Sequence, residues 1–313
     1  MWYCSAVKNF GELIALSTAV CWTITAFSFE LAAKRIGSLS LNLIRLLFAF
    51  VMFMVLSMVI RGMPLPLDAP PSAWFWLAIS GLFGFVLGDL FLFQAFVLIG
   101  ARVSMLIYSS VPLMTVLLGR FILDERLSWL KFLGMGLTII GISLVVIFRP
   151  KQAAADKTAV PSALPAAPAA QLGKGVLFAF LGALGQALGY VLGKYGAGSF
   201  DAFGSTQIRS MAGIAGFAVI ITIARRWKHF ASGFRVRRAM IQVTAGSFFG
   251  PFLGVSLSLL AVQHTSTGIA STIIATVPVL IIPPSIIIFR EKVSLVEILG
   301  AVVSIAGVGV MFV

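Results

Sequence analysis

Charged residues are scarce in this sequence, and those that fall inside its apolar runs are the ones that could do chemistry. Asp89 lies deep in the run Ala73–Leu98, within LGDLFLFQ. An ionised Asp near the centre of a bilayer costs about 2.5–3.5 kcal/mol on insertion scales, so it is expected to face a protein interior or a water-filled cavity. There it can take up a proton or a cation; the plainer alternative is an acceptor that ties two helices together. Glu30, four residues before Lys34 and on the same helical face, is a second candidate for ion coupling. Four basic residues form two quasi-equivalent pairs, Lys34 with Lys194 and Arg45 with Arg209. A cavity lined by them would favour a carboxylate or another anionic group. The alternative is snorkelling, in which long basic side chains reach the headgroups from helix ends. Trp22, Tyr108 and Tyr190 fall inside apolar runs, where they can stack on a substrate or simply pack.

Other residue types bear on helix geometry. Pro112 and Pro278 each sit well inside an apolar run, where proline removes a helical hydrogen bond and bends the helix. Pro283-Pro284 breaks the second of these runs again. Glu125 and Glu291 precede apolar runs and are expected to favour the helix N-termini there. Ser128 and Ser294 are the candidate N-caps. Glycines 81, 84 and 88 are expected to permit close helix contact.

Signatures of catalysis are missing. There is no HExxH, no phosphate-binding loop of the GxxxxGK[ST] kind and no Cys/His cluster; the histidines are His229 and His264, the cysteines Cys4 and Cys21. Asp89 has no second intramembrane Asp to form a protease dyad. The expectation is a protein that is not an enzyme and carries no metal or cofactor.

The elements that must position these residues are membrane helices. The chain of 313 residues is 60% hydrophobic and 11% charged, with mean hydropathy +1.07; a soluble domain has about 25% charged residues. A net charge of +13 would suggest nucleic acid in a soluble protein, but here loop Lys and Arg read as topology signals and lipid contacts, with no nucleic-acid partner. Runs of about 20 apolar residues suffice to cross the hydrocarbon. The first such run, Ala15–Ala33, lacks the basic start and cleavage site of a signal peptide. Five spans fall in 11–148: Gly11–Ala33, Ser38–Ile60, Ala73–Leu98, a fourth from the short Gly100-Ala101-Arg102 link through Pro112 to about Leu123, and Trp129–Phe148. Residues 149–174, rich in Ala and Pro, read as a flexible linker. Five more spans fill 175–313: Gly175–Tyr195, Ala202–Ala224, Met240–Gln263, Thr267–Phe289 and Leu295–Val313.

The two halves repeat. Val111, Pro112, Glu125, Ser128, Gly134 and Gly141 recur, at one ungapped offset, as Val277, Pro278, Glu291, Ser294, Gly300 and Gly307; upstream, Gly84 and Gly88 fall on Gly250 and Gly254. Asp89 falls on Val255, so any role for it is asymmetric. A fixed long-range self-similarity is the mark of a repeat architecture. With five spans, the two units insert in opposite senses. The expected fold is therefore an all-α integral membrane protein with ten transmembrane helices in two five-helix inverted repeats, an arrangement that places substrate near the midplane in secondary transporters.

The duplicated set also resembles a known family. Trp22 to Lys34, Arg45, Ala95, Pro112, the turn Glu125-Arg126-Leu127-Ser128, Gly134 and Gly141 have second copies in Lys194, Arg209, Ala261, Pro278, Arg290-Glu291-Lys292-Val293-Ser294, Gly300 and Gly307. Over both units this is similar to the EamA-type members of the drug/metabolite transporter superfamily. The resemblance implies a carrier in the cell (cytoplasmic) membrane that moves small metabolites, often outward, by alternating access. Its partners would be a small-molecule substrate, the lipid bilayer and a proton as candidate coupling ion. Two departures stand out: Leu184-Gly185-Gln186 replaces the second tryptophan, and Glu12 lies at a helix edge rather than inside. Small polar or amphipathic solutes, amino acids among them, are the leading substrate class; a lipid-linked or drug-like substrate, or a non-transporting scaffold or sensor, are the alternatives. Orientation stays open. The loop Arg225–Arg238 carries Arg225, Arg226, Lys228, Arg235, Arg237 and Arg238 and reads as cytoplasmic, which places both termini outside; the resemblance implies both inside.

Overall fold

In a computed structural model the described residues are 9–108, 110–148, 169–280, 282–283 and 294–311. All regular structure among them is helical, as hydrocarbon demands, because each backbone N–H and C=O must pair within its own segment. The first unit contains α1 (Phe10–Ile36), α2 (Ser38–Arg61), α3 (Pro71–Gly81), α4 (Asp89–Tyr108), α5 (Val111–Ile122) and α6 (Trp129–Phe148). The second contains α7 (Ala169–Ala197), α8 (Ala202–Ile223), the short α9 (Trp227–Gly233), α10 (Arg237–Ser247), α11 (Val255–His264), α12 (Thr267–Ile274), α13 (Val277–Leu280) and α14 (Leu295–Met311). Five helical stretches are long and apolar enough to span: Ser38–Arg61, Pro71–Leu92, Gly173–Ala197, Ala202–Ile223 and Arg237–His264. Shorter apolar helical stretches and the interrupted α12–α13 segment supply the other five. The protein is a multi-pass membrane protein, and side chains such as Val55, Val59 and Phe121 present apolar surface outward.

The inversion is visible in which ends meet. Arg61, at the C-terminal end of α2, pairs with Asp201, the N-cap of α8. These are quasi-equivalent helices, and they run in opposite directions. The same holds for α6 and α14, where the equivalent residues Thr138 and Ser304 touch each other through the Thr138 hydroxyl and the Ser304 carbonyl at 3.4 Å. The pseudo-two-fold axis therefore passes between them. Glycine makes this crossing possible: a Cβ on Gly300 would sit 2.8 Å from the Gly141 carbonyl oxygen. The third span of the first unit uses the same device against the first span of the second, since a Cβ on Gly189 of α7 would lie 2.8 Å from the Gly84 Cα.

Several boundaries differ from expectation. α7 begins at Ala169, so the last part of the expected 149–174 linker is helical; residues 149–168 lie outside the described set. At the expected link Gly100-Ala101-Arg102 the backbone is helical throughout, from Asp89 to Tyr108, yet the chain reverses within that stretch, because Tyr108 lies within electrostatic reach of Asp89 and a straight 20-residue helix would hold them about 30 Å apart. The second copy does break there. Thr265 is extended, and the Ser266 hydroxyl accepts from the Ile269 N–H at 3.4 Å to cap α12. The first copy has Ile99-Gly100 in those places, with no capping hydroxyl.

A further interruption follows in both copies. α4 ends at Tyr108 and α5 opens at Val111, and α12 ends at Ile274 before α13 opens at Val277. Tyr108 and Ile274 stand four residues before Pro112 and Pro278, where each proline ring would strike the carbonyl of a continuous helix. Pro112 thus sits in the first turn of its helix rather than mid-helix. Ser294 and Glu297 form a reciprocal capping box at the start of α14, with the Ser294 N–H donating to Glu297 at 2.7 Å and the Glu297 N–H to the Ser294 hydroxyl at 3.2 Å. Pro284, Arg290, Glu291 and Lys292 lie outside the described residues.

Candidate functional site

Both third spans depart from α-helix at the same place. A π-helical turn covers Leu82–Gly88 in the first unit and Phe248–Gly254 in the second, positions that superpose under the repeat. π-turns inside α-helices are frequent at functional sites, because the wider turn redirects the side chains around it. Pro251, which has no N–H to donate, lies in the second of them. Around these turns lies a buried cavity of about 20 Å³ lined by both units: Trp22 of α1, Arg45 of α2, Phe85 and Asp89, then Gln186 and Tyr190 of α7, Arg209 of α8, and Pro251, Val255 and Ser258. That volume holds about one water molecule. The site is closed around its own side chains, and a solute needs it to open.

The charges within it are unequally treated. Arg45 (α2) and Asp89 (α4) form an ion pair, and the Arg45 guanidinium also lies 5.6 Å from the Phe29 ring centroid. Arg209 is 1% exposed, and its guanidinium lies 5.2 Å from the ring centroid of Phe85. Its Nη2 reaches the Gly189 carbonyl at 3.4 Å, long for such a bond, while Nε and Nη1 have no protein partner. The Arg45 Nε and the Trp22 Nε1 are also unmatched. Space for the Arg209 side chain comes from Gly84, where a Cβ would lie 3.3 Å from its Nη2.

A second polar cluster lies at the end of the bundle where α7 finishes. The Lys194 ammonium donates to Glu125 at 2.7 Å and to the Thr265 carbonyl at 2.7 Å. The other Glu125 oxygen accepts from the backbone N–H and the hydroxyl of Thr267, both at 2.9 Å. Glu125 therefore sits at the N-terminus of α12 in the opposite unit, rather than on the last helix of its own unit as its spacing suggests. The reason is topological: the inverted partner brings a helix start, rich in unpaired N–H groups, against that loop. Glu12, buried, accepts from the Thr265 hydroxyl at 2.8 Å in the same region.

Of the residues singled out from sequence, Trp22, Arg45, Asp89, Tyr190 and Arg209 line one cavity. Lys194 stands apart with Glu125, and Tyr108 packs against the main hydrophobic cluster without lining the cavity. Glu30 and Lys34 are on the last turns of α1, and their side chains lie outside the described set. Phe85, Gln186, Pro251 and Ser258 complete the cavity and had little to mark them, since an uncharged polar or aromatic residue in a membrane helix is common. Gln186 alone carried a hint, as the place where the second unit departs from the tryptophan of the first.

The model of the EamA-like transporter family matches residues 9–147 and again 173–313. No curated protein matches the sequence. Among solved structures, a chain described only as "Crystal structure of protein" is similar over 97% of this chain and 98% of its own, with 17% identity and a TM-score of 0.71. At that identity the likeness speaks for the fold alone.

Proposed function

The chain belongs to the EamA-like transporter family, and from that premise we propose that it is a secondary active carrier of small polar or amphipathic metabolites in the cytoplasmic membrane, working outward by alternating access. The observation that carries this reading is the closed cavity between the inverted units, lined by Arg45, Asp89 and Arg209 and ringed by Trp22, Phe85 and Tyr190. Sites at the interface of inverted repeats are where such carriers hold their cargo. The polar cluster of Glu125, Lys194, Thr265 and Thr267 ties the two units together at one end of the bundle. In an alternating cycle that end is shut here and opens when those bonds part.

Asp89 is the one acid lining the cavity among the described residues, and it faces Arg45, Arg209 and Tyr190. A proton on it removes the charge that holds Arg45, which is the route by which proton movement would couple to solute. The test is uptake and efflux of a metabolite panel in proteoliposomes by the parent and by Arg45→Ala and Arg209→Ala. Both variants are expected to lose at least ten-fold in rate for the transported solute. Unchanged flux in both removes the cavity from the transport path.

A further inference from the structure

The two units offer the same basic residue to the cavity but not the same partner. Arg45 is the eighth residue of α2 and Arg209 the eighth of α8. Arg45 has Asp89, one residue beyond the first π-turn; the place one residue beyond the second π-turn is Val255. Arg209 is thus a fully buried guanidinium in a cavity where its repeat-mate's carboxylate has no counterpart.

Two guanidinium groups and one carboxylate leave the cavity one positive charge in excess. A buried charge without a counter-ion is destabilising, and removal of one partner from a buried pair is costly for the same reason. Five N–H donors in a planar fork suit a carboxylate or a similar oxyanion, and those on Nε and Nη1 have no partner in the protein. The rest of the lining is aromatic or apolar (Trp22, Phe85, Tyr190, Val255), with Gln186 and Ser258 as neutral polar groups. We infer that the cargo is a small organic monoanion whose carboxylate docks on Arg209, occupying the role that Asp89 plays for Arg45, with an apolar or aromatic body against the rings. This rests on the transport reading and narrows it. A zwitterionic amino acid leaves the excess charge in place, and a cation adds to it; a monoanion alone brings the cavity to neutrality.

The test is equilibrium binding to the purified full chain in detergent micelles, followed by thermal unfolding and titration with four matched probes. Phenylpyruvate is the monoanion, phthalate the dianion, phenylalanine the zwitterion and phenethylammonium the cation. Phenylpyruvate is expected to raise the unfolding temperature and to bind at least ten-fold tighter than the other three. Arg209→Gln should bind it about 10- to 100-fold more weakly, the range for a lost hydrogen bond to a charged group. The same variant should unfold no earlier than the parent without ligand, because it removes an unmatched charge; a merely structural Arg209 would lower that temperature. Val255→Asp supplies the missing carboxylate from the protein and should abolish phenylpyruvate binding while raising the ligand-free unfolding temperature. Tighter binding of phenylalanine or phenethylammonium, or undiminished phenylpyruvate binding by Arg209→Gln, overturns the inference. Because micelles need no flux, the two readings fail separately. Monoanion binding without movement across liposomes counts against transport, and flux of cations or zwitterions alone counts against the monoanion.

Discussion

Asp89 is what makes Arg45 affordable inside the bundle. Their side chains are 17% and 6% exposed, so each relies on the other rather than on water. Replacing Asp89 by Asn leaves Arg45 buried without a counter-charge, a loss on the order of 3 kcal/mol. The Asp89→Asn variant is therefore expected to unfold several degrees below the parent in micelles. The double replacement Arg45→Met with Asp89→Leu, which exchanges the pair for apolar groups, should recover most of the loss, since such exchanges are often neutral or stabilising. If neither variant moved the unfolding temperature, the pair would not be a structural ion pair at all. The same Asp89→Asn protein, reconstituted, is expected to move solute without response to an imposed pH gradient; full retention of that response removes Asp89 from coupling. These three charges were legible in the sequence because an ionised group inside an apolar run has few reasons to be there. Their pairing was not legible. Arg45 is 44 residues from Asp89 and has nothing in its own neighbourhood to name its partner. Lys194 carries the same sequence signal as Arg209, yet it stands in the last turn of α7, where Glu125 is within reach and the cavity is not.

Helices here approach as closely as their glycines allow, and that gives a controlled comparison. Gly189 of α7 faces the first π-turn, and a Cβ there would lie 2.8 Å from the Gly84 Cα, a backbone atom that cannot step aside. Gly136 of α6 has nothing within 4 Å of its would-be Cβ. Gly136→Ala should stabilise by about 0.5–1 kcal/mol, the helix-interior advantage of alanine. Gly189→Ala gains the same local term but must push α7 off the turn that carries Phe85, so it is expected to lower the unfolding temperature. Thermal unfolding of the two variants side by side decides this, and equal shifts in one direction would mean that the α7 contact is loose. Element existence was legible from hydropathy, and the ten-helix plan follows from the count of apolar runs. The π-turns were not, because a π-turn differs from α-helix by a single inserted residue that leaves the hydropathy profile unchanged.

At the scale of the whole molecule, the inverted plan divides the loops between two faces, and the charge is not shared evenly between them. The turn from α8 to α10 carries Arg225, Arg226, Lys228, Arg235, Arg237 and Arg238, with no acid among residues 225–238. Gly37, in the α1–α2 turn, lies beside His229 on that face. Within it α9 presents an aromatic cluster, with Trp227 and Phe230 ring centroids 5.5 Å apart and Phe230 and Phe234 5.4 Å apart. Aromatic rings above a basic loop are the arrangement of an interfacial anchor on an anionic leaflet. The opposite face is charge-balanced: Arg61 is shared between Asp68 and Asp201, Arg120 pairs with Asp124, and Lys194 with Glu125. Retention of Lys and Arg on the cytoplasmic side then places α9 inside and the Glu125–Lys194 cluster outside. The conformation described here would be the one shut towards the exterior. A family habit of cytoplasmic termini predicts the reverse, so the two expectations separate cleanly. In a background with Cys4 and Cys21 replaced by Ser, Ser232→Cys on α9 and Asp68→Cys on the opposite loop are labelled with a membrane-impermeant maleimide. Charge distribution predicts that intact cells label Asp68→Cys alone, and that Ser232→Cys reacts only after permeabilisation. The opposite pattern reverses the orientation, and with it the face to which the carrier stands closed.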